Sequence, residues 1–192
     1  MPVRRLLPFG LAALICVSTP ALGEVKPVAP QPAPDSLADG LGVTYYYQTF
    51  RTIRQLIEGI GYLKPDPGTP LPNVDYKVGE GAVLTSTSHN YVGAHIVGLI
   101  ELAAPGSYEF EVTSNDGVRL TLGGEMIFDD PDVHSDWTSE PIVVPVGTPG
   151  WYPIEILYFE KQGTSTLIMR WKPPGAADFE VIPAAAFKHT RR

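Results

Sequence analysis

The sequence predicts an all-β domain, an antiparallel β-barrel or β-sandwich with a short N-terminal helix, and a disordered proline-rich spacer before it. From Asn90 onward, stretches of strand length that are apolar or alternate in polarity are separated by turns rich in Gly and Pro. That spacing is typical of antiparallel barrels and sandwiches. Cys16 is the only cysteine, so a hydrophobic core rather than disulfide bonds must hold the domain together.

The first 23 residues have the pattern of a secretory signal peptide. Arg4 and Arg5 form a basic start, an apolar run spans Leu11 to Val17, and small residues stand on either side of Leu22. Cleavage near residue 23 would remove Cys16, whose surroundings match a lipoprotein signal poorly. We therefore expect a secreted protein of bacterial type, periplasmic or extracellular, that has no thiol.

The net charge of the chain limits the classes of molecule that it is expected to bind. Loss of Arg4 and Arg5 takes the formal net charge from −7 to −9. An acidic surface argues against nucleic acid and anionic lipid, because both carry the same sign of charge. After residue 23 no stretch is long and apolar enough to span a membrane. We expect neither a nucleic-acid partner nor a membrane span.

The chain divides into a signal peptide (1–23), a spacer (24–39), a β domain (40–188) and a basic tail (189–192). The spacer alternates Pro with small or polar residues, a composition that favours an extended segment outside a core. The β domain begins with a predicted strand over 42–50, and a short amphipathic helix follows, with Ile53, Leu56, Ile57 and Ile60 at helical spacing. A loop with four prolines comes next.

Alternating and apolar stretches define the later strands. Residues 94–102 form an almost continuous apolar run, and Tyr108, Phe110 and Val112 then alternate with glutamates. Gly123-Gly124 marks a hairpin, since both glycines tolerate positive φ. Further strands are predicted near 141–146, 152–158 and 167–171.

Three stretches, 106–124, 151–171 and 173–183, form a specific combination. They hold, in order, a G-x-Y-x-F strand, a Ser-Asn-Asp-Gly turn, a strand ending at a glycine hairpin, a "YPI-x-I-x-YFE" strand, a glycine turn and a strand ending in Trp. With these features the chain resembles the PA-fourteen domain, named for the protective antigen of a bacterial toxin. The resemblance implies a compact β-barrel or β-sandwich and extracellular carbohydrate recognition or adhesion.

The resemblance also implies a calcium site. In sugar-binding members, two consecutive acids in this turn hold a calcium ion that grips sugar hydroxyls. The pair here is Asn115-Asp116, in which Asn keeps an oxygen but lacks the charge that strengthens calcium binding. A purely structural turn, with both side chains bonded to nearby backbone, is the alternative.

The loop "FDDPDVHSDW" (128–137) supplies the remaining candidates. Asp129 and Asp130 would complete the calcium shell with Asn115 and Asp116. The predicted ligand-binding residues are Asn115, Asp116, Asp132, His134, Asp136 and Trp137, with Trp137 stacking on a sugar face. A lone imidazole is a weak signal for a transition metal. The alternative is a solvated loop whose Trp137 is buried against the barrel.

Two further features bear on catalysis. Glu160 in "YFEKQG" is predicted to be structural, accepting backbone N–H bonds or pairing with Arg119 or Arg170. No nucleophile-elbow motif surrounds the Ser-His neighbours, and no pair of carboxylates stands out for glycoside hydrolysis. We expect no enzyme activity.

Together these observations predict a secreted, non-catalytic carbohydrate-binding or adhesion module that uses calcium and binds a glycan or cell-surface carbohydrate. The alternative is a structural or protein-binding β-domain of the cell envelope or surface, partnered by another protein and without a sugar ligand.

Overall fold

The computed structural model describes residues 23–191, so nearly all of the predicted signal peptide, with Cys16, lies outside the described residues. The described part is mostly strand, with one α-helix and two 3-10 turns. No helix in it is long and apolar enough to cross a membrane. The elements are β1 Leu37–Asp39, β2 Gly42–Tyr47, α1 Ile53–Ile60, β3 Asp66–Pro67, β4 Asp75–Gly79, β5 Val92–Leu102, β6 Gly106–Asn115, β7 Val118–Leu122, β8 Glu125–Asp130, β9 Trp137–Thr138, β10 Ile142–Val146, β11 Gly150–Glu160, β12 Ser165–Lys172, β13 Glu180–Val181 and β14 Phe187–Thr190.

Two antiparallel sheets pack face to face as a sandwich. The first has eight strands in the order β1-β14-β5-β11-β7-β8, with β2 on β5 and β3 on β2. The second has six strands in the order β10-β6-β12-β13, with β4 on β12 and β9 on β6. The all-β prediction is confirmed, and of the two predicted architectures the open sandwich is the one observed.

Strand alternation builds the core between the sheets. Tyr108, Phe110 and Val112 of β6 are buried while the glutamates between them are partly exposed. The same rule directs the even-numbered residues of β11 from Tyr152 to Tyr158 into the main hydrophobic cluster. Glu160 is the next residue on that inward-facing side.

Helix α1 covers the outer face of the first sheet. Thr52 caps it, accepting a hydrogen bond from the Gln55 N–H at 3.2 Å. Ile53 and Leu56 pack with Leu157 and other side chains of a second, smaller cluster. The predicted helix is confirmed, although Ile57 is 41% exposed.

The proline-rich segment is not the free spacer that its composition predicted. Val25 is buried against the sandwich. The Lys26 N–H donates to the Gly123 carbonyl at 3.1 Å, and the Val28 N–H donates to the Trp151 carbonyl at 2.8 Å. An extended backbone makes no internal hydrogen bonds, so its N–H groups are free to pair with neighbouring elements.

Both predicted ends of the β domain need correction. Residues 37–39 form β1, which lies before the predicted start at 40. They pair with β14, which includes His189 and Thr190 of the predicted basic tail. Arg191 donates backbone and side-chain hydrogen bonds to Ser36 and Leu37. The two ends of the domain therefore lie together.

The Gly123-Gly124 hairpin forms as predicted between β7 and β8. Both glycines have positive φ, +59° and +88°. A left-handed conformation at two successive positions is unfavourable for residues with a Cβ. The hairpin leads the chain back along β8 towards the loop 131–137.

Candidate functional site

Four strands of the second sheet bring distant residues together at one end of the sandwich. In the order β9-β6-β12-β4, Trp137 pairs with Ser114, Asn115 with Thr166, and Thr166 with Lys77. Adjacent positions on paired strands are about 5 Å apart. Side chains separated by up to 89 positions in the sequence thus meet at one edge.

A groove of about 370 Å³ opens at this edge, and we call it the Asp136 groove. Its lining side chains carry a carboxylate, an ammonium group, an amide and hydroxyl groups. The lining residues are Lys77, Gly79, Asn115, Ser135, Asp136, Thr164 and Thr166.

Asp136 is the centre of the polar contacts in this groove. Its Oδ1 accepts a hydrogen bond from Asn115 Nδ2 at 3.1 Å, and its Oδ2 lies 3.3 Å from Lys77 Nζ. Burial raises the pKa of Asp136, but hydrogen bonds from Asn115, Thr166 and Lys77 and the charge of Lys77 outweigh it, so the net shift is downward. Asp136 is therefore an anion at neutral pH.

Trp137 stands beside the groove with an accessible ring. It is 47% exposed, which overturns the alternative that it is buried against the barrel. Its indole stacks on Phe128 at a centroid distance of 6.3 Å, and His134 meets it edge-on at 6.5 Å. A second cavity of about 520 Å³ lies along this side and shares Ser135 and Asp136 with the groove.

Asp116 braces the loops rather than facing a ligand. It is 3% exposed. Its Oδ1 accepts the His134 N–H at 3.1 Å and its Oδ2 accepts the Lys161 N–H at 2.8 Å. Burial raises the pKa of Asp116, and the two N–H bonds offset this only in part. Asp116 thereby ties the loops after β8 and β11 to the end of β6.

Asn115 precedes Asp116 through a cis peptide bond. Its side-chain amide donates to Thr164 Oγ1 at 3.1 Å as well as to Asp136. Its backbone carbonyl accepts the buried hydroxyl of Tyr158. Asn115 is thus fixed from three directions and presents its amide to the groove.

The four predicted calcium ligands do not converge. Asp129 forms a bidentate salt bridge with Arg119, and both N···O distances are 2.9 Å. Asp130 Oδ2 lies 3.1 Å from His134 Nε2. Successive residues of a strand point to opposite faces, which is why these neighbours have different partners. Asp132, a predicted ligand residue, is exposed beside Trp137.

The donor set does not fit a calcium ion. Calcium takes six to eight oxygen ligands, preferably charged. Both oxygens of Asp116 already accept hydrogen bonds from backbone N–H groups. The oxygens of Asp136 interact with the Asn115 amide and the Lys77 ammonium group. Within residues 23–191, no three His, Cys, Asp or Glu side chains are grouped closely enough to hold a metal ion.

Glu160 has none of the hydrogen-bond or ion-pair partners that the sequence predicts for it. It is fully buried, and neither of its carboxylate oxygens has a hydrogen-bond partner. Arg119 alternates with the inward-facing residues of β7 and bonds to Asp129 instead, and Arg170 is exposed. Burial, together with the negative charge of Asp116, raises the pKa of Glu160 to about 7. The backbone N–H of Tyr91 lowers the pKa of Glu160 but does not cancel this rise, and its hydrogen bond goes to the Lys161 carbonyl at 3.2 Å.

Five groove residues were not among the predicted site residues: Lys77, Gly79, Ser135, Thr164 and Thr166. Lys77 lies on β4, in the part of the chain where the sequence pattern is least regular. Thr164 follows the glycine turn after β11, for which the sequence predicts a turn but no ligand-binding residue. Their positions depend on strand pairing, which no local motif encodes.

The PA14 domain family model matches residues 38–185. The sequence matches no curated protein. The matched range covers the second sheet, all of the first sheet except β14 and the first residue of β1, and every residue that lines the Asp136 groove.

Several solved structures have the same fold. The PA14 domain of the MpAFP antifreeze protein aligns with a TM-score of 0.70 at 18% identity, covering 85% of this chain and 97% of that chain. A PA14 sugar-binding domain from an RTX adhesin aligns at 0.63 and 17%, with coverages of 79% and 99%. The A domain of epithelial adhesin 9 from Candida glabrata, in complex with Galβ1-3GlcNAc, aligns at 0.61 and 14%, with coverages of 88% and 97%.

Proposed function

The chain belongs to the PA14 domain family, and from this premise we propose that it is a secreted, non-catalytic carbohydrate-binding module. Its ligand site is the Asp136 groove together with the ring of Trp137. The observation that carries the proposal is this juxtaposition: a polar groove with matched donors and acceptors directly beside a 47% exposed indole.

The chemistry of the groove suits a sugar. Each sugar hydroxyl can donate and accept a hydrogen bond. Asp136 accepts and the Lys77 ammonium donates, while the two N–H groups of the Asn115 side chain are bonded to Asp136 and Thr164 and hold the carboxylate in place. Hydrogen bonds to charged groups are roughly twice as strong as neutral ones. The face of Trp137 offers an apolar surface to the C–H side of a pyranose ring.

The structural neighbours support this choice of ligand. Two of them are described as a sugar-binding domain and as an adhesin domain in complex with a Gal-GlcNAc disaccharide. On this basis we propose glycans, such as those of a cell surface, as partners, and a location outside the cytoplasm.

The charge state of the groove supports the proposal of binding without turnover. Glycoside hydrolysis needs two carboxyl groups on opposite sides of the bond, one of them protonated. Among the described residues that line the groove, Asp136 is the one carboxylate, and its lowered pKa keeps it ionised. Such a carboxylate can hold a hydroxyl but cannot serve as a general acid at neutral pH.

The test is a glycan array probed with calcium and again with a chelator. We expect the same glycans to bind under both conditions, because Lys77 supplies the positive charge next to Asp136. A blank array under both conditions would refute the proposal and favour a protein-binding β-domain of the envelope or surface. Binding that disappears with chelator would instead refute the cation-free account of the groove.

Asp136→Ala should weaken glycan binding by about tenfold to a hundredfold. Loss of a hydrogen bond to a charged group costs about 1.5–3 kcal/mol, and every 1.4 kcal/mol is about tenfold in Kd. Titration calorimetry with the tightest glycan of the array measures the effect. Asp178→Ala, at an exposed position outside the groove, is the matched control and should bind as the wild type does. Equal affinities in the two variants would exclude the groove as the site.

Trp137→Ala should weaken binding by about tenfold, since aromatic stacking contributes about 0.5–1.5 kcal/mol beyond buried area. Trp137→Phe should recover part of the loss because it keeps an aromatic face. Val143→Ala removes a comparably exposed apolar side chain from β10 and serves as the control. The measurement is again calorimetric, and an unchanged Kd in Trp137→Ala would remove the ring from the site.

A further inference from the structure

A third cavity lies on the far side of the loop that follows β11. It has a volume of about 540 Å³, and we call it the Tyr91 cavity. Two tyrosines flank it, Tyr47 and Tyr91, with 39% and 44% of their surfaces exposed. Between them it offers amide and hydroxyl groups, from Gln48, Ser88 and Asn90. Like the proposed site, this cavity places aromatic rings next to hydrogen-bonding groups, but here the lining side chains are neutral.

The walls of this cavity are held in place by hydrogen bonds. The Tyr47 hydroxyl donates to Asp66 Oδ2 at 2.9 Å, and the Tyr62 hydroxyl donates to Gln48 Oε1 at 3.2 Å. The Gln48 N–H donates to the Tyr91 carbonyl at 3.1 Å. The cavity is therefore formed before any ligand arrives.

Tyr91 has an unfavourable backbone conformation that core packing does not explain. Its φ is +62°, a region in which a bulky residue is a genuine outlier. Its ring is nearly half exposed, so the strain brings little apolar burial. Strained residues cluster where a side chain must be aimed at a ligand. Here the strain directs an aromatic ring to the mouth of the cavity.

The Tyr91 cavity adjoins the Asp136 groove across a single loop. The Lys161 carbonyl accepts the Tyr91 N–H at 3.2 Å, and the Gly163 N–H donates to Asn90 Oδ1 at 2.8 Å. The next residue, Thr164, lines the groove and bonds to Asn115. The loop thus lines the groove through Thr164 and bonds to Asn90 and Tyr91, two residues that line the Tyr91 cavity.

From this arrangement we propose that the Tyr91 cavity is a second subsite, which binds a further sugar unit of the glycan held in the Asp136 groove. The inference rests on the proposed function and narrows it to oligosaccharides. The residues described around the cavity include no Lys or Arg, and the chain is acidic overall. The sugar unit in this subsite is therefore neutral.

The experiment compares wild type, Tyr91→Gly, Tyr91→Phe and Asp136→Ala on an array of neutral glycans from monosaccharides to hexasaccharides. Glycine accepts a positive φ without strain, so Tyr91→Gly removes the ring and should melt no lower than the wild type. We expect Tyr91→Gly to weaken binding of the longer oligosaccharides by about tenfold, on the scale of one aromatic stacking contact. Binding of mono- and disaccharides should not change, and Tyr91→Phe should behave as the wild type does.

The other outcomes separate the two proposals. Asp136→Ala should weaken binding of glycans of every length. If it does so while Tyr91→Gly binds every glycan as the wild type does, the second subsite is refuted and the proposed function stands. If Tyr91→Gly weakens short and long glycans equally, the cavity is not a separate subsite and the inference is refuted. If the wild type binds no glycan, both proposals are refuted.

Discussion

Asp116→Ala is expected to lower the melting temperature by about 10 °C and to abolish glycan binding. In the wild type the backbone N–H groups of His134 and Lys161 donate to the two oxygens of Asp116. The substitution leaves both N–H groups without a hydrogen-bond acceptor. An unsatisfied buried donor costs about 1–3 kcal/mol, and relief of the buried charge offsets part of that. A net loss of about 3 kcal/mol corresponds to about 10 °C in a domain of this size.

Loss of binding in Asp116→Ala would be indirect. The loop after β8 carries Asp136, and the loop after β11 carries Thr164. Asp116 holds both loops through a single side chain, so its removal loosens two walls of the groove at once. Thermal unfolding by circular dichroism and calorimetric titration with the same glycan measure the two effects.

Asp129→Ala is the matched control for Asp116→Ala. Asp129 is also a carboxylate next to the candidate site, but it bonds to Arg119 on the outer face of the sheet. Partly exposed ion pairs contribute about 0–1 kcal/mol, so this variant should melt within about 3 °C of the wild type. If Asp116→Ala melted as the wild type does and lost binding alone, Asp116 would be a direct ligand rather than a brace.

Local alternation was enough to predict most of the sandwich. Tyr108, Phe110 and Val112 face inward because the period of a strand is two residues, and the glycines at 123 and 124 mark the hairpin. The apolar spacing also predicted helix α1, but it did not predict correctly which residues the helix buries. Ile57 fits the apolar period and is nevertheless exposed. The small cluster under the helix includes Ile53 and Leu56 but not Ile57.

The candidate site was predicted only in part, because its contacts are long-range. The sequence shows that Asp116 is acidic, but its partners lie 18 and 45 positions away. Lys77, which provides the positive charge next to Asp136, reaches the groove only because β4 pairs with β12. Asp136 and Trp137 were predicted from composition alone, and strand pairing brings them to the groove edge.

The proline-rich segment illustrates a different limit. Its composition predicts an extended, disordered spacer that packs no core. Val25 and the backbone N–H of Val28 nevertheless find partners on the folded sandwich. Composition predicts the local conformation of such a segment, whereas docking depends on which groups the finished fold leaves unpaired.

Glu160→Gln is expected to stabilise the domain by about 3 kcal/mol at pH 8 and to leave its stability nearly unchanged at pH 4. Glu160 is fully buried without a hydrogen-bond partner. Burial, and next the charge of Asp116, raise its pKa from 4.5 to about 7. Each unit of pKa shift corresponds to about 1.4 kcal/mol, which sets the upper size of the effect.

The sign of the pH dependence follows from proton binding. Between pH 4.5 and about 7 the folded state keeps the proton on Glu160, whereas the unfolded state has released it. Stability falls with pH wherever the folded state binds more protons, so the wild type should lose stability as pH rises through this window. Glutamine carries no proton to lose, and Glu160→Gln should show a flatter profile. Urea unfolding at a series of pH values measures it.

Glu155→Gln separates the effect of burial from that of charge. Glu155 lies on the same strand, but its side chain is 45% exposed and pairs with His95. Its removal should change stability by less than about 1 kcal/mol at any pH, as expected for an exposed pair. Parallel pH profiles for wild type and Glu160→Gln would mean that Glu160 is solvated or paired in the folded protein. A steeper profile in the wild type alone would show that the folded protein keeps Glu160 as a buried, unpaired carboxyl group.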